Sequence, residues 1–280
     1  MQKRIYSPEA GIRRPGTLLS GMFRDLAASR SLGFRLSVRN LSARYRQSFL
    51  GIFWALVPPL ASSLIWIILN QQKIVSFGHT DVPYPVFVIT GSLLWQFFSE
   101  SLTGILNSLS SNTNMLSKLN FPREALLVSA AIDIGVNMLI KLTLLVVVYL
   151  SFGLYFGLPV IQTLPGLALL FFLGASIGLF LIPISMLVRD IQNGIGLVLQ
   201  FAMYLTPVIY PVKVHEGWLS FLNYNPVTPI LQLCRDGLSG HWYPNWPEIL
   251  IIGAITFLFL FIGLIAFRLA MPILIERMGS

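Results

Sequence analysis

Residues 142–188 read LTLLVVVYLSFGLYFGLPVIQTLPGLALLFFLGASIGLFLIPISMLV, a run of 47 residues without a charge between Lys141 and Arg189. A bilayer core of about 30 Å needs roughly 20 apolar residues in a helix, so this run is too long for one span. Gly153, Gly157, Pro159 and Pro165 punctuate it. Such residues break helices, so the run divides into the end of one span and the whole of the next. Other charge-free stretches lie on either side: 26 residues between Arg46 and Lys73, 18 between Asp81 and Glu100, 22 between Asp190 and Lys213, and 19 between Glu248 and Arg268. The reading is six transmembrane helices, near 51–71, 84–106, 126–151, 165–187, 193–211 and 248–268. The expected fold class is therefore an all-α polytopic membrane protein. Residues 1–50 form an N-terminal cytoplasmic region, 51–271 the six-helix domain and 272–280 a cytoplasmic tail.

Composition agrees. The chain has 280 residues, 55% hydrophobic and 11% charged, with mean hydropathy +0.74. A soluble domain carries about 25% charge. A free-standing soluble enzyme, a disordered chain and a nucleic-acid-binding module are all excluded. The single cysteine, Cys234, allows neither an internal disulfide nor a cysteine zinc site. With the N-terminus inside, 15 of the 19 lysines and arginines fall in inner segments and three (Lys73, Lys213, Arg235) in outer ones, Lys141 lying within a span. By the positive-inside rule both termini are cytoplasmic. No short apolar region with a small-residue cleavage site opens the chain, so no removed signal peptide is expected.

Three segments are neither span nor simple loop. In 34–49, Phe34, Val38, Leu41, Tyr45 and Phe49 make one apolar stripe with Arg35, Arg39 and Arg46 beside it, the pattern of an amphipathic helix in the membrane interface. It is either a topology anchor or a gate touching an anionic headgroup. Residues 107–125 are polar, helix-compatible to Asn120 and broken at Pro122. The 36 residues of 212–247 are apolar for a loop, with Trp218, Leu219, Phe221, Leu222, Ile230, Leu231, Leu233, Leu238 and Trp242. Pro226 and Pro229 split them into pieces too short to span, either two short re-entrant helices in the outer leaflet or a folded cap.

The chemistry of an enzyme is missing. No Gly-Lys dipeptide occurs, so there is no phosphate-cradling loop with its lysine. No HExxH or GxSxG occurs, and Asp236 with Glu216 or Glu248 has no specific spacing. Asp133, Asn137 and Lys141 step by four along the third span, and Glu100 sits in the inner half of the second. Charges in spans must face protein or water. Four of the six spans lack buried charges, which favours structural pairing over a proton relay. The aromatics Phe53, Trp54, Trp66, Trp95, Phe97, Phe98, Tyr204 and Tyr210 lie in or beside spans. Singly they fit lipid-facing belts and core packing. Together they suit a path on which sugar faces stack weakly and slide, and Phe53, Trp54, Trp95, Phe98, Tyr204 and Tyr210 are the candidates for it.

Four stretches taken in order resemble a known family. They are Arg44-Tyr45-Arg46-Gln47-Ser48-Phe49-Leu50-Gly51 with Trp54-Ala55 and Pro58-Pro59-Leu60; Gly91 to Trp95 and Phe98, leading to Asn114-Met115-Leu116 and Lys118-Leu119-Asn120-Phe121-Pro122-Arg123-Glu124; Arg189-Asp190-Ile191 with Tyr204-Leu205-Thr206-Pro207-Val208-Ile209-Tyr210-Pro211; and Asn225-Pro226-Val227-Thr228-Pro229 with Arg235. Over roughly residues 35–270 the chain resembles the type-2 ABC exporter permeases for lipid-linked polysaccharides, the O-antigen, capsule and teichoic-acid group. The last two stretches look more like O-antigen and teichoic-acid members. The second proline, Pro59, departs from many relatives.

The resemblance implies a homodimer in the bacterial inner membrane, paired with two copies of a cytoplasmic ABC ATPase. That partner would bind ATP and magnesium; this chain would carry no cofactor, metal or catalytic residue of its own. The cargo would be an undecaprenyl-linked polysaccharide, O-antigen first, moved from the inner to the outer leaflet. The resemblance makes 34–49 a gate helix. Arg39, Arg44 and Arg46 would face the pyrophosphate of the lipid anchor, with Tyr45 and Phe49 beside the first sugars. It makes 107–123 a coupling helix on the ATPase, with Asn114, Lys118, Phe121, Pro122 and Arg123, and 212–247 two re-entrant helices. The competing readings are a type-2 permease exporting drugs or small lipids, and a polytopic glycosyltransferase or acyltransferase.

Overall fold

The computed structural model describes residues 24–46, 51–75, 80–112, 115, 121–188, 190–212 and 217–279. Among them there is no strand. The main helices are α1 (Arg30–Arg46), α2 (Val57–Gln71), α3 (Tyr84–Ser110), α4 (Glu124–Ser151), α5 (Thr163–Leu187), α6 (Asp190–Leu205), α7 (Val227–Ser239) and α8 (Trp246–Gly279). Among the described residues three apolar stretches are long enough to cross a bilayer: Glu124–Ser151, Leu158–Leu187 and Trp246–Met271. α2 is a shorter apolar helix of 15 residues, preceded by the 3-10 segment Gly51–Ala55. α3 has 27 residues but carries serines, threonines, Gln96 and Glu100 along its length.

Helix ends follow local chemistry. The pair Pro58-Pro59 sits in the first turn of α2. There a missing N–H costs nothing, so the second proline starts a helix and bends none. Pro85 does the same for α3. α7 stops at Gly240, whose φ of 88° only glycine adopts freely. α8 runs past Arg268 to Gly279, so residues 272–279 of the expected tail continue the helix. Arg268 is tolerated because its guanidinium meets Asp25 at 2.6 Å.

α3 lies at the centre, packed on α2, α4 and α5, while α8 packs on α5 and α1 on α4. The α3–α5 crossing is close because α5 offers glycine. A Cβ at Gly174 would stand 2.7 Å from the Phe98 carbonyl oxygen, and one at Gly178 would stand 2.6 Å from that of Leu102. In membranes such small residues spaced by four let backbones approach and supply the packing that the hydrophobic effect cannot. Outward faces are apolar: Leu64, Ile65 and Ile68 on α2, Leu197, Val198 and Phe201 on α6, Leu250, Ile255 and Leu258 on α8.

The packing of α1 differs from its apolar stripe. Phe34 and Val38 are 59% and 47% exposed. The buried face is the opposite one, with Gly33, Leu36 and Ser37. A Cβ at Gly33 would lie 2.7 Å from a Val128 methyl, so α1 rests on α4 through small and polar groups.

Candidate functional site

Where α1, the C-terminal half of α3 and the start of α4 meet, they enclose a polar cavity of about 510 Å³. Arg39, Asn40 and Arg44 come from α1, Glu100, Thr103 and Asn107 from α3, Asp133 and Asn137 from α4. The two carboxylates are engaged. Asp133 accepts hydrogen bonds from the Ser37 hydroxyl and, at 3.4 Å, from the Asn40 amide. Asn40 also reaches Ser129 at 3.4 Å. Glu100 holds the fully buried Lys141 ammonium at 2.5 Å. The polar groups of the third span are thus paired between helices, as the sequence reading favours, but Asp133 pairs with α1 and Lys141 with α3. With both acids so engaged, Arg39 and Arg44 bring two cations to a cavity rich in amides and hydroxyls. Such a set suits an anionic, oxygen-rich group: guanidinium forks bind phosphate oxygens two at a time.

The other expected site residues fall in distinct places. Tyr45 and Arg46 are backbone members of the last turn of α1; Phe49, Asn114 and Lys118 lie outside the described residues. Phe53 and Trp54 stand on the 3-10 segment before α2, 68% and 55% exposed. Tyr204 at the end of α6 is exposed and meets Trp66 of α2 edge-on, with ring centroids 6.1 Å apart. Tyr210 donates to the Tyr204 carbonyl at 3.1 Å. Trp95 and Phe98 instead face the interior: they are 5% and 4% exposed, with ring centroids 5.3 Å apart. Phe121 packs against the main core, and Pro122 and Arg123 lead into α4 beside it.

At the other end of α3 a second arrangement ties three of the four family-like stretches together. The Arg235 guanidinium donates to the carbonyls of Pro207, at 2.7 Å, and Val208, and lies 3.9 Å over the Phe87 ring. Gly91 leaves the room it needs: a Cβ there would fall 2.1 Å from the guanidinium. Asn225 donates to Thr206 at 2.9 Å, and Tyr84 to the Ile209 carbonyl at 3.1 Å. The segment 206–211, with Pro207 and Pro211, cannot continue the α6 ladder; Arg235 and Tyr84 satisfy its carbonyls, and Asn225 holds the Thr206 hydroxyl. Glu248 is taken by Tyr243 at 3.1 Å and Asn245 at 2.9 Å, so it makes no pair with Asp236.

Sequence reasoning missed Ser37, Asn40, Ser129, Thr103 and Asn107. The available signal was a polar row on α3: Ser92, Gln96, Ser99, Glu100, Thr103 and Asn107 recur at helical spacing through an apolar segment.

The described helices thus form an apolar bundle with a polar, cation-bearing cavity at one end. The chain belongs to the ABC-2 type transporter family, which matches residues 33–238. It is similar to the O-antigen export system permease protein RfbA of Myxococcus xanthus, 27% identical over 247 residues covering 84% of this chain and 90% of the relative. Two proteins of that name from Klebsiella pneumoniae are 27% and 26% identical, covering 71% and 82% of this chain and 76% and 88% of their own lengths.

Proposed function

We propose that this chain is the membrane subunit of an ATP-driven exporter that moves a lipid-linked polysaccharide, O-antigen first, from the inner to the outer leaflet. The observation that carries the reading is the 510 Å³ cavity with Arg39 and Arg44, in a chain of this family. A glycan cannot cross hydrocarbon unaided, and its lipid anchor must stay in the bilayer. A cation-lined cavity beside an interfacial helix gives the anchor's pyrophosphate a place to dock.

The finer reading is as follows. α2 with its 3-10 lead, α3, α4, α5, α6 and α8 are the six spans, in the inner membrane with both termini cytoplasmic. Residues 217–239 are a re-entrant pair of short helices on the outer side. One protomer is too narrow to enclose a glycan, and two copies meet through the exposed apolar faces of α2 and α6. Phe53, Trp54, Tyr204 and Tyr210 then line the path. Residues 107–123 dock on a separate ABC ATPase, two copies per dimer. That partner holds ATP and magnesium.

The test is complementation. In cells lacking their own O-antigen permease but retaining the ATPase, this chain should restore surface O-antigen and clear intracellular lipid-linked glycan. Accumulation of that intermediate despite membrane insertion and ATPase assembly refutes the reading.

A further inference from the structure

Asn193, Leu197, Gln200 and Tyr204 step by 4, 3 and 4 along α6, and so share one strip of its surface. All four are exposed on the protomer. Val198, Phe201 and Leu205, exposed as well, form an apolar strip beside it. The one buried residue of the helix, Leu199, lies on the side turned to the bundle. Gln200 stands about 15 Å along the helix from Asp190 at 1.5 Å per residue, which is half the depth of a bilayer core of about 30 Å. Among the described residues, no hydrogen bond holds its amide or that of Asn193. Hydrocarbon offers an amide no partner. The strip therefore faces something polar that lies outside the protomer.

The make-up of the strip selects what it meets. A second helix packed there would need small residues for close approach, and Leu197 and Tyr204 stand out between the amides instead. Asp190 is the one charge on α6, so nothing along the strip selects an ion. An amide both donates and accepts, and so does a hydroxyl. Tyr204, edge-on to Trp66 with ring centroids 6.1 Å apart, adds a ring for the apolar face of a sugar. We propose that Asn193 and Gln200 line the path between two copies and hydrogen-bond the hydroxyls of the passing glycan. The apolar strip of α6 meets the second copy, and the polar strip lines the gap beside that contact. Each amide makes a weak contact, one of several, so the glycan moves on without being trapped. The inference rests on the export reading above and adds two contact residues to the path.

The experiment uses the complete complex with its ATPase. Gln200→Leu and Asn193→Leu each keep the bulk of the side chain and delete its amide. Each should lower glycan export at least fivefold while expression, insertion and thermal stability match wild type, because neither amide bonds within the protomer. Gln200→Asn keeps an amide and should fall between. A second measurement reads the surroundings of the strip directly. Cys234 is buried, so a Gln200→Cys chain, in nanodiscs and turning over ATP, can be followed over a quiet background with a water-soluble maleimide. The thiol should react. Undecaprenyl-pyrophosphate-linked polysaccharide should slow that reaction at least fivefold, and undecaprenyl pyrophosphate without sugar should not. An unreactive thiol would mean that lipid or a second helix covers the strip, and it overturns the inference. Wild-type export from both leucine variants, or equal slowing by the sugarless lipid, overturns it too. In all these cases the unaltered complex still exports, and the export reading stands. If the unaltered complex exports no glycan, the export reading fails and takes this inference with it.

Discussion

Replacing Asp133 by alanine should free α1 from α4 without disturbing the rest of the bundle. The carboxylate accepts from Ser37 and, at a longer 3.4 Å, from Asn40. A hydrogen bond to a charged group contributes about 1.5–3 kcal/mol, a neutral or stretched one nearer 1. Asp133 is half-buried on a polar cavity, where water competes, so the lower ends apply. The loss is then about 1.5–2.5 kcal/mol, at least a tenfold weakening of α1 docking. Leu36 and Gly33 remain as its packing contacts. Hydrogen exchange of the complex in nanodiscs reads this directly. Amides of 30–46 should exchange at least tenfold faster in Asp133→Ala, while those of α5 and α8 keep their wild-type rates. Asp133→Asn retains an acceptor for Ser37 and should fall between. Unchanged protection of α1 in the alanine variant would refute the latch, and uniform loss over all helices would show that Asp133 supports the whole fold.

Four further outcomes are expected. Arg39→Lys and Arg44→Lys should each lower export about tenfold with normal insertion and ATPase docking, since a point charge cannot make the forked contact to phosphate; wild-type export would make these arginines topology anchors. Gly178→Ala should lower thermal stability by about 1–3 kcal/mol through overpacking against α3, whereas Gly135→Ala, with nothing within 4 Å of its Cβ, should hold or raise it; equal melting of the two would deny the close α3–α5 crossing. Arg235→Lys loses one of two carbonyl contacts in a buried site and should cost about 1.5–3 kcal/mol, seen as faster proteolysis near 206–212 from the outer side in spheroplasts. The purified chain alone should hydrolyse no ATP, and reversing Lys118 and Arg123 to Glu should detach or uncouple the ATPase, measured by co-purification and turnover.

The sequence makes the helices visible for a simple reason: a charge-free length is a property of the chain alone. The end of α8 is not visible in that way, because Arg268 looks like a stop until Asp25, far away in sequence, neutralises it. The stripe of Phe34 and Val38 is plain in the pattern, but the face that docks α1 sets a single apolar residue, Leu36, among Gly33, Ser37 and Asn40, and forms no stripe of its own. Membrane helices pack through such small and polar groups, so hydrophobic periodicity marks the face turned away from the protein. Trp95 and Phe98 show the same limit from the other side. Residue type named them as aromatic, and only the position of α5 decides that they point inward. Arg39 and Arg44 were legible as cations just before the first span, where the positive-inside rule alone puts them. Their cavity was not, since its walls come from three helices.

The clamp on 206–211 also bears on how the protein is made. The Pro207 carbonyl waits for a guanidinium 28 residues further along the chain. At a synthesis rate of about 5–20 residues per second, that is a delay of about 1–6 s. During that interval the Pro207 and Val208 carbonyls, just past the end of α6, lack their guanidinium partner. Insertion of α6 and fastening of the 206–211 segment that follows it are therefore separate events.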